Sequence, residues 1–109
     1  RLAMINGNAP ISELYRLAAE DWVRLDGAAR LLEETKTAVL SQRMAALGDL
    51  PVSRAELAVK STDEWKEFVT SMVEARTAAN EKKIEVEYLK MRFAEWNSSE
   101  ANARIERKL

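Results

Sequence analysis

Between Trp65 and Trp96 ten positions recur at alternating spacings of three and four: Trp65, Phe68, Met72, Ala75, Ala79, Lys82, Val86, Leu89, Phe93 and Trp96. This is the heptad seam of one long helix, and such a seam has to be buried against another helix. The earlier half of the chain supplies a matching series: Tyr15, Ala18, Trp22, Leu25, Ala29, Leu32, Lys36, Val39, Arg43 and Ala46. Two helices of roughly 35 residues, each about 50 Å long at the α-helical rise, do not hold their shape alone. They are expected to fold back on each other as a long antiparallel, coiled-coil-like hairpin. Setting Leu89 against Trp22, Phe93 against Ala18, Trp96 against Tyr15, Val86 against Leu25 and Lys82 against Ala29 places seam on seam throughout, with the turn near Ala55.

The breaks between the seams agree with that turn. In Leu47-Gly48-Asp49-Leu50-Pro51, Gly48 suits a left-handed cap and Pro51 cannot continue a helical ladder. Ser53-Arg54-Ala55-Glu56 has capping-box spacing and could start a short helix through about Lys60, and Ser61-Thr62-Asp63-Glu64 repeats it just before Trp65. The later signal is the expected start of the second long helix. The first is expected to begin at Ser12, with Ser12 as cap and Glu13 in the first turn. Gly27 sits inside that helix at an intrinsic cost of about 1 kcal/mol relative to Ala. Asn97-Ser98-Ser99 weakens the second helix, and the charged tail to Leu109 either continues it or forms a short third helix. Residues 1–11 are expected to be a flexible leader, since Gly7, two Asn and Pro10 disfavour a helix interior. Arg1-Leu2-Ala3, ahead of Met4, read as an expression scar. Residues 12–109 are then a single all-α hairpin domain.

Several apolar residues fall off the seams, among them Leu14, Leu17, Leu31, Leu40, Met44 and Leu47 in the first half and Val69, Val73, Ile84, Tyr88 and Met91 in the second. A two-helix hairpin cannot cover them all, and contiguous exposed apolar surface marks an interface. The expectation is a homo-oligomer forming a helical bundle, or a constitutive partner protein.

Chemistry is harder to find. The chain has no Cys and no His, so thiol nucleophiles, imidazole bases and the usual zinc ligands are absent. Its three Gly residues are isolated, so no phosphate-cradling loop exists. Glu81, Glu85 and Glu87, with Glu33 and Glu34, might suggest an acidic metal site, but they fall outside both seams and read as a solvated face. No catalytic residue, metal or cofactor is expected. Seventeen basic against eighteen acidic residues leave a net charge of −1, so no bulk field draws the chain to a polyanion or an anionic membrane. The longest apolar runs are far short of a membrane span and no signal-peptide pattern is seen, which makes the cytoplasm the expected compartment.

Two sets of side chains remain. The aromatic end, Tyr15, Trp22, Tyr88, Phe93 and Trp96, is either core or interface anchor. Tyr15, Tyr88, Met91 and Trp96 are the candidate partner contacts. A nucleic-acid interface would use Arg76, Lys82, Lys83, Lys90 and Arg92, or the tail residues Arg104, Arg107 and Lys108, but acidic residues interleave with them at ion-pair spacing. Lys36, Arg43 and Lys82 interrupt the seams, as residues that fix register or subunit number do.

The runs Glu64-Trp65-Lys66-Glu67-Phe68, Met72-Val73-Glu74-Ala75-Arg76, Lys83 to Phe93, Glu95-Trp96 and Glu100 to Arg104 resemble small helical proteins of tailed bacteriophages and prophages. That resemblance covers about the last half of the chain and implies a small phage-type accessory protein. The secreted WXG-type hairpins expect Trp-x-Gly in the turn, which Leu47-Gly48-Asp49-Leu50-Pro51 does not provide. The expected function is non-catalytic binding of a partner protein. The alternative is a DNA-binding accessory factor in phage replication or recombination.

Overall fold

The structure, a computed structural model, describes residues 10–108. It contains three helices, α1 (Ile11–Ala45), α2 (Val52–Lys60) and α3 (Asp63–Lys108), and no strand among the described residues. The fold is the all-α helical hairpin expected, with α2 set in the connection between the long helices. The expected leader lies outside the described residues except for Pro10 and Ile11.

Each terminus has a local cause. α1 starts at Ile11, one residue before the expected cap, because the Pro10 carbonyl accepts hydrogen bonds from the Glu13 and Leu14 N–H groups. Ser12 therefore lies inside the first turn and does not cap it. α1 ends where Gly48 takes φ +84°, the left-handed conformation that glycine tolerates best. Ser53 does not cap α2 either: Pro51 occupies that position and makes no side-chain cap bond.

The start of α3 is more economical. Thr62 Oγ1 donates to the Val59 carbonyl of α2 at 2.7 Å and accepts from the Trp65 N–H of α3 at 3.1 Å. One hydroxyl thus closes one helix and opens the next, and the cap is Thr62 rather than Ser61. At the other end α3 runs unbroken through Asn97-Ser98-Ser99 to Lys108, so no third helix forms in the tail. Polar residues lower helix propensity by tenths of a kcal/mol each, which a continuous ladder of 46 residues tolerates.

Packing falls into two compact units, each described by itself: Arg1–Arg24 with Asn80–Leu109, and Leu25–Ala79. In the first, Lys82 Nζ lies 4.0 Å from Asp21 and Lys83 Nζ lies 6.0 Å from the Trp22 ring, while the earlier Ser12 and Tyr15 of α1 share a cleft with the later Lys90 and Phe93 of α3, so the two helices are antiparallel neighbours there. In the second, Arg76 of α3 reaches both Asp26 and Glu33 of α1, and Val59 and Ala55 of α2 are buried.

These neighbours correct the expected pairing. Trp22, set against Leu89 from the sequence, lies beside Lys83, and Lys82 faces Asp21 rather than Ala29. The shift is about one heptad. A heptad slip leaves seam on seam, so the apolar pattern cannot distinguish the two registers, whereas ion pairs across the helices can.

The seams themselves lie on the packed face. Ala18, Ala29, Trp65 and Ala79 are buried, and Phe68, Met72, Val86, Leu89 and Phe93 are half-buried. Ala29 and Ala79 are completely buried, but among the described residues no large side chain is. Leu25 and Leu89, expected in the core, are only half-buried. A helix pair covers each side chain from one direction, so only alanine disappears fully between close backbones. Lys36 is exposed, and Trp96, at a seam position, is 51% exposed. The heptad shift explains Trp96, because it moves this residue past the first turn of α1.

Candidate functional site

In the first unit, Ser12 and Tyr15 on the first turns of α1 and Lys90 and Phe93 on α3 line a cleft of about 350 Å³. Their placement follows from spacing: Ser12 and Tyr15 are three apart on α1, as are Lys90 and Phe93 on α3, so each pair shares a helix face. Trp96, one turn beyond, stacks on Phe93 with ring centroids 6.3 Å apart and planes 28° from parallel. The cleft is apolar in its walls, with a phenol, a hydroxyl and an ammonium group at its edges. Such a site suits an apolar side chain whose neighbouring polar group needs a hydrogen bond.

The four candidate partner contacts divide between two places. Tyr15 lines the cleft and Trp96 stacks on its wall. Tyr88 and Met91 are 53% and 61% exposed on the side of α3 turned away from the seam, where Ile84 joins them one turn earlier. Trp22 lies elsewhere along α1, under Lys83. The aromatic end is thus not one cluster. Ser12 was expected only as a helix cap and Lys90 only as a nucleic-acid contact, although Lys90 stands one turn from Phe93 and that spacing is visible in the sequence.

The basic residues do not gather into a stripe. Arg76 donates to Glu33 through Nε and Nη2 and to Asp26 through Nη1, each at 2.8 Å. Those bonds hold the Glu33 carboxyl below the usual glutamate range and push the Arg76 guanidinium up. A side chain committed to two carboxylates is a poor phosphate ligand. Lys83 rests over Trp22, while Arg104 and Arg107 donate to the Glu100 and Ala103 carbonyls of their own helix. Arg92 and Lys108 are exposed.

Elsewhere on α1, Arg16 bridges Glu13 and Glu20, and Arg24 bonds Asp21, as helix-surface pairs do. Among the described residues no group of three or more carboxylates is placed to hold a metal ion. Glu33 is bound to Arg76 and Glu85 to Lys82, at 2.8 Å in each case. A depression of about 550 Å³ beside the first turns of α3 is lined by Asp63, Lys66, Glu67, Thr70 and Ser71 of that helix alone, so no groups converge on it. No helix among the described residues is long and apolar enough to cross a membrane. No protein-family model matches the chain, and neither a curated protein nor a solved structure shows significant similarity to it.

Proposed function

We propose that this chain is a non-catalytic accessory protein of phage type, acting in the bacterial cytoplasm by binding a partner protein in the cleft of Tyr15, Phe93 and Trp96. The observation that carries this reading is Trp96: a seam-position tryptophan that is half exposed and stacked beside an apolar cleft. Tryptophan and tyrosine at the edge of a preformed cleft are the side chains that anchor protein interfaces. Self-association uses the other apolar surface of α3, Ile84, Tyr88 and Met91, so a homo-oligomer leaves the cleft free.

The test is a pull-down from host lysate followed by affinity measurement with the captured protein. Trp96→Ala and Tyr15→Ala are expected to weaken capture about tenfold or more, with helix content unchanged by circular dichroism. Binding by both variants at wild-type strength would remove the cleft from the function. Charge reversal at Arg104 and Arg107 serves as the opposing arm. If it abolishes activity, and binding falls steeply between about 50 and 200 mM salt, the chain works on nucleic acid instead.

A further inference from the structure

We infer that a second copy of this chain covers the outer face of α3 in antiparallel orientation, with Met91 of each copy against Ala94 of the other. The inference rests on the self-association named above and not on what fills the aromatic cleft.

Within the first unit, the face of α3 turned away from α1 carries Asn80, Ile84, Glu87 and Met91, then Ala94, Ser98, Ala101 and Ile105. The spacings alternate strictly between four and three, and each of these residues is exposed, Ile84 by 68% and Ile105 by 59%. This is a second heptad seam, opposite the one that packs on α1. Its two halves differ. α1 begins at Ile11, and its Ser12 and Tyr15 stand level with Lys90 and Phe93, so about 22 Å of α3 beyond Phe93 has no described residue of α1 beside it. A helical stretch of that length is marginal in water on its own. The large Ile84 and Met91 lie on the half that α1 backs, and the small Ala94, Ser98 and Ala101 lie on the projecting half.

Turning a second copy end for end joins these halves. Met91 then meets Ala94, Ile84 meets Ala101, Ile105 meets Asn80, and Glu87 meets the Ser98 hydroxyl, each contact occurring twice about a two-fold axis. Every projecting stretch rests on a part of the other copy that is backed by α1. Parallel pairing instead sets Glu87 on Glu87, leaves small on small at Ala94 and Ala101, and gives the projecting stretches only each other. The flanking rows agree with the antiparallel choice. Tyr88 meets Glu95, so a phenol O–H faces a carboxylate, while Glu81 meets Asn102 and Lys90 meets Asn97. Lys83 and Arg104 form the one pair of like charge in these rows, and both are turned onto their own chain, over Trp22 and toward the Glu100 carbonyl. Side-chain size, charge and the length of helix left without α1 therefore select the same occupant.

The chain has no Cys, so single cysteines report the orientation in the full chain. Ile84→Cys and Ala101→Cys are oxidised separately and as a mixture, with light scattering on the wild type. The wild type is expected at twice the single-chain mass. A disulfide should form between the two variants in the mixture and in neither alone, because like positions stand about 25 Å apart in the antiparallel dimer. Should the trimmed Ile84→Cys no longer associate, a nitroxide on Glu81→Cys decides by pulsed EPR: about 35 Å between labels for the antiparallel dimer, against about 20 Å or less for a parallel one. Disulfides within either variant alone, or a label separation of about 20 Å or less, would overturn the antiparallel pairing while leaving self-association standing. A wild type of single-chain mass at high concentration would overturn both.

Discussion

Single residues do unequal work in this chain, and Gly27 and Thr62 mark the extremes. Gly27 is exposed in the middle of α1, and a Cβ built on it meets nothing within 4 Å. Its cost is purely that of glycine in a helix, so Gly27→Ala should raise stability by about 1 kcal/mol, read from thermal melts. An unchanged or lower melting temperature would show that α1 uses the missing side chain in some packed state. Thr62 is the opposite case, since its hydroxyl serves α2 and α3 at once. Thr62→Val should cost about 1 to 2 kcal/mol, and Thr62→Ser should recover most of it. A loss in Thr62→Ser with none in Thr62→Val would assign the effect to the threonine methyl group instead.

At the scale of the element, register is the property that the two seams leave open and that charge decides. The clamp of Arg76 on Glu33 and Asp26 joins α3 to α1 in one register, and Asp26 is joined in turn by Arg30. Glu33 titrates below the ordinary glutamate value in the folded chain. The stability it contributes is therefore fully present above about 4.3, the ordinary value, and is lost as pH falls through the lowered folded value. Melts of wild type and Glu33→Gln should converge on acidification over that window. Parallel acid limbs would mean that the pair is not formed in solution. Glu13, lowered by Arg16, titrates in the same sense but joins residues of one helix only, so it stabilises α1 without choosing a register. Close approach of the helices in the second unit rests on Ala29 and Ala79, both fully buried. Ala79→Leu should thus destabilise by about 1 to 3 kcal/mol through overpacking, whereas Leu89→Ala, at a half-buried site, should fall at or below the low end of the usual cavity range, about 2 kcal/mol. Unfolding midpoints in urea compare the two directly.

For the whole molecule, the apolar surface left after folding is the informative quantity. Twelve large hydrophobic side chains are at least 43% exposed among the described residues, and Ile84, Tyr88 and Met91 fall on one face of α3. Light scattering should therefore report a mass above 12.3 kDa, and Met91→Glu with Ile84→Glu should return it to the monomer value. A monomeric wild type at high concentration would instead leave that face to a different protein.

What the sequence determined by itself is whatever depends on local periodicity and backbone chemistry: two long helices with seams from Tyr15 and from Trp65, a glycine stop at Gly48, and a short helix ending near Lys60. Each follows from residues within one or two turns of one another. The tertiary structure decided what periodicity leaves degenerate. A heptad slip preserves every seam contact, so the Arg76 clamp and the Asp21–Lys82 approach select the register. That choice moves Trp96 out of the core and to the edge of the cleft with Tyr15 and Phe93, and it separates Tyr88 and Met91 onto another face. A heptad names the face of a helix that is covered, but the partner residue opposite each position depends on contacts some 40 to 50 residues apart, as between Arg76 and Glu33 or Asp26, which no local pattern encodes.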